Sequence, residues 1–253
     1  MNLFSKSEIL KKVLDFYDQN SQSVLEIVGP TASGKTDFTV ETAQFLEKSI
    51  GKKAEVIVVD SRQVYRECNI SSAKITKEEM CGVVHWGIDL KNPDEDFSVY
   101  AFQQYAFAKI QEILNRGNIP ILSGGTMLWL DSISKNYIFA ETQKEKSQKK
   151  GTPKWLFLKV GIFCEREILY ERINARALKQ FENGLIEETA QILKQYDVSS
   201  SVMTSFGYTE IKDFLEGYIS YDEALTQNQK RNRNYAKRQL TWWRGRDDVI
   251  WMG

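Results

Sequence analysis

The 253-residue sequence predicts an α/β protein: a parallel sheet with helices on both faces. Short apolar runs of strand length recur at Val24 to Val28, Glu55 to Val59, Ile119 to Leu122, Trp155 to Phe163 and Val249 to Trp251. Between them lie stretches with helical apolar spacing, and strands that alternate with helices build a parallel sheet covered on two sides. The first three runs end in polar motifs, and such sheets bind ligands beyond the carboxyl ends of their strands.

In chain order, the first strand closes on Gly29 and is followed by a helix with Phe38, Ala43, Phe45 and Leu46 on its apolar side. The second strand ends at Asp60 and the third at Gly124. Residues Glu141 to Lys154 are rich in Lys, Gln and Glu and read as a loop or linker. After the fourth strand, Leu169, Ile173 and Ala177 mark one helix and Leu185, Ile192, Leu193 and Tyr196 another. A basic helix over 226–246 precedes the last strand, with Ala236, Leu240 and Trp243 on its buried side. Residues 1–253 are read as a single domain.

Composition removes several classes. The 34 Lys and Arg are balanced by 34 Asp and Glu, so this is no wholly basic nucleic-acid protein. Charges interrupt the N-terminal apolar stretch and no later run nears eighteen apolar residues, so neither a leader nor a membrane span is expected. Cys68, Cys81 and Cys164 form no CxxC pair and read as packing residues, which suits a reducing cytoplasm. A lone histidine, His85, excludes histidine metal clusters and a Ser-His-Asp triad, and reads as a structural or orienting group. A monomer is the default expectation.

Gly29-Pro30-Thr31-Ala32-Ser33-Gly34-Lys35-Thr36 matches GxxxxGKT between a strand and a helix, the context that a phosphate-binding P-loop requires. The expected fold is therefore P-loop NTPase-like. Gly29, Thr31, Ala32, Ser33 and Gly34 supply backbone N–H groups for a diphosphate, Lys35 adds positive charge, and the Thr36 hydroxyl suits Mg²⁺. The bland alternative is a glycine-rich turn.

Asp60, followed by Ser61-Arg62-Gln63-Val64-Tyr65-Arg66, admits two roles: a carboxylate that holds Mg²⁺ through water, or a base that takes a proton from an acceptor. The planar donors Arg62 and Arg66 and the Gln63 amide favour recognition of a base and its phosphates. Thr126, after Gly124-Gly125, can donate to a leaving oxygen. Arg172 and Arg176, four apart on a helix, can reach one anion, against the alternative of a solvated face paired with Glu167 or Glu171. From Thr226 to Arg246 there is no acid, and Lys230, Arg233 and Lys237 share one helical side with Arg238 adjacent, a stripe suited to an RNA backbone. Tyr235 and Trp242 offer stacking surface, and Trp243 reads as core.

GPTASGKT together with DSRQVYR resembles the tRNA dimethylallyltransferase family, also called tRNA isopentenyltransferase. Further matches are collinear: Ser72-Ala73-Lys74, His85 to Asp89, Asp96 to Val99 with Phe102-Gln103, Ile119 to Thr126, Leu169 to Arg176, Phe206 to Glu210 and Tyr235 to Arg244. The resemblance implies transfer of a prenyl group from dimethylallyl diphosphate to the N6 amine of an adenosine beside the anticodon, with Mg²⁺ and a tRNA anticodon stem-loop as partners. It implies Asp60 as base, Thr126 at the bridging oxygen, Arg172 or Arg176, with Arg172 preferred, on the diphosphate, and Ser61, Arg62, Gln63 and Arg66 on the tRNA. Two departures stand out. The family's helical insertion after the GGT motif is largely absent, with 131–154 in its place, and His85-Trp86 replaces a histidine pair. The reduced insertion keeps a free adenine nucleotide open as acceptor, and a P-loop small-molecule kinase remains the rival of another class.

Overall fold

Each of the five apolar runs becomes a strand in the computed structural model, which describes residues 2–20, 22–139, 149–204 and 207–253. The elements are β1 (Leu3–Phe4), α1 (Lys6–Gln19), β2 (Ser23–Val28), α2 (Lys35–Ile50), β3 (Ala54–Val59), α3 (Lys77–Met80), β4 (His85–Trp86), α4 (Val99–Asn115), β5 (Ile119–Gly124) and α5 (Met127–Ser134). They continue with β6 (Tyr137–Ile138), β7 (Lys149–Lys150), β8 (Leu156–Ile162), α6 (Arg166–Glu182), α7 (Leu185–Gln195), α8 (Ser200–Met203), α9 (Tyr208–Leu215), α10 (Tyr221–Arg244) and β9 (Val249–Met252). Among the described residues the main sheet has seven parallel strands in the order β1-β9-β8-β2-β5-β3-β4. The two-residue strands β1 and β4 are too short to carry a sequence period, and only pairing with β9 and β3 defines them.

Alternation along the strands feeds two cores. Val24, Val28, Ile57 and Val59 pack with Phe102 and Ile110 of α4, Leu130 of α5 and Trp243 of α10. Leu25, Ile27, Val56 and Val58 face Ile9 and Val13 of α1 and Phe38 and Leu46 of α2. Helices on both faces leave the strands buried on two sides, as a parallel sheet requires.

Register sets the site. Val28 and Val59 both pair with Gly124, so the loops after β2, β5 and β3 leave the sheet level with one another at its carboxyl edge. The long helix α10 starts from a capping box: Ser220 Oγ accepts the Glu223 N–H, and the Glu223 carboxylate accepts the Ser220 N–H at 2.8 Å. It buries Ala236, Leu240 and Trp243, and also the polar Asn228, Asn232 and Gln239.

Three expectations change. Residues 131–134 belong to α5, where Asp131, Ser132, Ile133 and Ser134 are buried, so that part of the 131–154 segment is core rather than linker. Beyond it a small antiparallel pair, β6 with β7, links α5 towards β8. Cys81 is exposed at the end of α3 rather than packed, whereas Cys68 and Cys164 are buried. Residues 140–148 of the linker and Phe206 of the Phe206 to Glu210 motif lie outside the described residues.

Candidate active site

The loop after β2 turns into α2 through Gly34, whose φ of 91° is left-handed and suits glycine, and which serves as the N-cap of α2. The first N–H groups of α2 and its positive end therefore face the sheet edge. Lys35 Nζ donates to Pro30 O at 2.6 Å. Burial pulls the Lys35 ammonium down to about 8, with Asp60 opposing the shift and Arg176 adding to it. Buried Ser33 Oγ has no hydrogen-bond partner among the described residues, and Gly29 is buried at the base of the loop. Thr31 anchors the loop: its N–H donates to Gln239 Oε1 at 2.8 Å, and its hydroxyl accepts from Arg176 at 2.6 Å.

Asp60 follows β3, and its carboxylate accepts the Arg62 N–H at 2.8 Å, an Asx-type turn that fixes the side chain at the strand end. Thr126, the N-cap of α5, accepts the Ser61 N–H at 2.9 Å and donates to Ser61 Oγ at 3.3 Å. The carboxylate loop and the Gly-Gly-Thr loop are thus joined through one serine. Tyr235 of α10 donates to Gly125 O at 3.1 Å, and burial together with the nearby Asp60 charge pushes its phenol up to about 12. The Tyr235 hydroxyl is therefore a neutral donor at neutral pH.

These groups surround one cavity of about 720 Å³. Thr31, Ala32, Gly34, Lys35 and Thr36 form one side, and Asp60, Ser61, Arg62, Gln63 and Thr126 another. Arg172 and Arg176 both line it from α6, but Arg176, rather than the preferred Arg172, reaches the loop. Burial lowers the pKa of Arg176 and Asp60 opposes that shift, while Arg172 lies with Nη1 3.9 Å from Cys164 Sγ. His85 also lines the wall, with Nδ1 2.9 Å from Val83 O, and burial lowers its pKa.

Several expected contacts lie elsewhere. Arg66 is exposed and donates to Asn92 Oδ1 at 3.0 Å, off the cavity wall. Arg233 donates to Asn174 Oδ1 of α6 at 2.6 Å, Arg231 pairs with Glu210 at 2.6 Å, and Arg246 pairs with Asp131. The basic stripe is therefore partly internal. Lys230, Lys237 and Arg238 are exposed, and the Arg238 guanidinium lies 5.5 Å from the Tyr235 ring centre.

Gln239, Asn232, Gln180 and Ser71, none of them expected at the site, also line the wall, as does Tyr235, expected to offer stacking surface. A signal existed: Asn228, Asn232, Tyr235 and Gln239 recur at helical spacing beside the apolar stripe. Among the described residues no cluster of three acidic, His or Cys side chains could hold a metal. The Thr36 hydroxyl on the cavity wall fits a hard cation such as Mg²⁺ that draws its remaining ligands from phosphate and water.

A parallel sheet carrying a GxxxxGKT loop at its carboxyl edge is a P-loop NTPase-like fold. Within that class the chain belongs to the IPP transferase family, whose sequence profile matches residues 63–150 and 137–246. The tRNA dimethylallyltransferase of Staphylococcus saprophyticus is 33% identical over 291 aligned positions, covering 90% of this chain and 90% of its own. That of Staphylococcus carnosus is 34% identical over 294 positions, covering 92% and 91%. The crystal structure of the full-length tRNA isopentenylpyrophosphate transferase from Bacillus halodurans superposes with a TM-score of 0.81 at 32% identity, covering 91% of this chain and 89% of that one. Both aligned spans exceed the 253 residues here, so these relatives carry residues without a counterpart in this chain.

Proposed function

We propose that this protein transfers a dimethylallyl group from dimethylallyl diphosphate to the N6 amine of an adenosine beside the anticodon of tRNA, releasing diphosphate. The observation that carries this reading is the meeting of Asp60 and Thr126, linked through Ser61, at the rim of the phosphate loop. An exocyclic adenine amine is a poor nucleophile because its lone pair is delocalised into the ring. It needs a base, an oriented electrophile and a stabilised leaving group.

In the proposed step the N6 nitrogen attacks the first prenyl carbon, a carbon–nitrogen bond forms, and the carbon–oxygen bond to diphosphate breaks. Asp60 takes the amine proton. The Thr126 hydroxyl meets charge developing on the bridging oxygen, while Lys35, Arg176 and the N–H groups from Ala32 to Thr36 hold the departing diphosphate. Mg²⁺, held by Thr36, would supply charge neutralisation to the diphosphate. Arg62 and Gln63 orient the adenine, which must leave its loop stack to enter the cavity.

A second reading, transfer to a free adenine nucleotide, is favoured by the shorter chain relative to its curated relatives. One mass-spectrometric experiment separates them. With dimethylallyl diphosphate and Mg²⁺, an anticodon stem-loop RNA and AMP are offered in parallel. An adduct on the RNA alone is expected, and an adduct on AMP alone moves the acceptor to the free nucleotide. No adduct on either, together with ATP turnover, replaces the transferase with a kinase.

A further inference from the structure

We propose that Gln239 is a positioning residue that clasps the phosphate loop to the Gly-Gly-Thr loop, holding the two grips on the leaving diphosphate at one separation. The proposal rests on the transferase reading of this site. Strands β2 and β5 are neighbours, and their ladder ends with the pair Val28 and Gly124. Beyond that point the Gln239 side chain supplies the missing bridge. Its carbonyl oxygen accepts the Thr31 N–H at 2.8 Å, and its NH₂ donates to Gly125 O at 2.8 Å. The amide acts as one more peptide unit inserted between the two loops.

Three further observations support a built clasp. Gln239 is 1% exposed, so each of its polar atoms must be paired inside the protein, and the two bonds fix which end of the amide faces which loop. A Cβ on Gly125 would collide with the Gln239 amide nitrogen, which gives that glycine a steric reason distinct from loop flexibility. Tyr235, one turn earlier on α10, donates to the same Gly125 carbonyl at 3.1 Å. Both lone pairs of the carbonyl just before Thr126 are thereby engaged from α10. Loss of the clasp frees the Thr126 hydroxyl and the Thr31 turn to drift apart, and small misplacements at a reacting centre are costly to rate.

Gln239→Glu tests this through its proton. An ionised carboxylate still accepts from Thr31 but repels Gly125 O, whereas a protonated one restores both bonds. At about pH 8 the variant is expected to lose at least about tenfold in kcat for prenyl transfer, with the KM for stem-loop RNA within about twofold of the parent. Expressed relative to the parent at each pH, that deficit shrinks as pH falls towards about 5.5, where a buried carboxyl regains its proton. Gln239→Leu, which has neither bond, shows a deficit that does not change with pH. Calorimetric binding of inorganic diphosphate, which needs no acceptor, is expected to weaken in both variants, and thermal melting confirms that each is folded.

A Gln239→Glu deficit independent of pH, or a folded Gln239→Leu that matches the parent in kcat and diphosphate binding, overturns the clasp. A parent protein that forms no prenyl adduct overturns the transferase reading instead. The diphosphate titration then still decides whether the clasp shapes the anion site.

Discussion

Asp60 carries the claim that this site moves a group rather than a phosphate. Its carboxylate is pinned by the Arg62 N–H and lies close enough to Lys35 and Arg176 to oppose the effect of burial on both cations. In the proposed reaction this carboxylate takes the amine proton. Asp60→Ala should therefore lower prenyl transfer by about 10²-fold or more, the range of a lost general base, while filter binding of stem-loop RNA changes little. A variant with normal turnover refutes the role. Asp60, Lys35 and Thr36 were legible in the sequence because each motif is local, a strand end or a strand-to-helix turn. The choice between Arg172 and Arg176 was not. It depends on how α6 is rotated against the phosphate loop, and four residues of helix place both guanidinium groups on one face without saying which one touches Thr31.

Helix α10 joins three surfaces in one element. Its apolar stripe, Ala236, Leu240 and Trp243, is buried, its polar stripe from Asn228 to Gln239 faces inwards, and Lys230, Lys237 and Arg238 stay exposed. The positive charge was visible in the sequence, but the partners that absorb part of it were not: Glu210 of α9 pairs with Arg231, and Asp131 of α5 with Arg246, which lies two residues past the end of α10 rather than within the expected 226–246 helix. Under the proposed function the exposed remainder meets the RNA backbone. Replacing Lys230 and Lys237 together by Gln should weaken stem-loop binding, and the slope of log affinity against log salt should fall by about two if each lysine neutralises one phosphate. Binding titrations at several salt concentrations measure the slope. An unchanged slope means that this face of α10 does not touch RNA.

At the scale of the whole molecule the sheet was legible because five apolar runs and their spacing survive any detail of packing, whereas strand register was not. Register places Glu26 of β2 directly beside Lys159 of β8, and both side chains are buried in the middle of the sheet. Read along the chain, Glu26 is one polar residue in an apolar run; only pairing reveals its partner. Lys159 Nζ lies 3.5 Å from Glu26 and 3.1 Å from Asp248, and Asp131, Lys135 and Arg246 face the same interior. Burial pushes the Glu26 carboxyl from 4.5 up to about 7, against the pull of Lys159 and with the push of Asp131. A folded-state pKa above the unfolded one gives stability that is full below about 4.5 and is lost as pH rises through about 7. Glu26→Gln stays neutral and escapes that loss. From about pH 4.5 to about pH 8 the unfolding free energy of the variant should therefore gain on that of the parent, by at most about 3 kcal/mol. Urea unfolding of both proteins across this range measures the difference. Curves that stay parallel would mean that Glu26 is ionised throughout, with Lys159 outweighing the cost of burial.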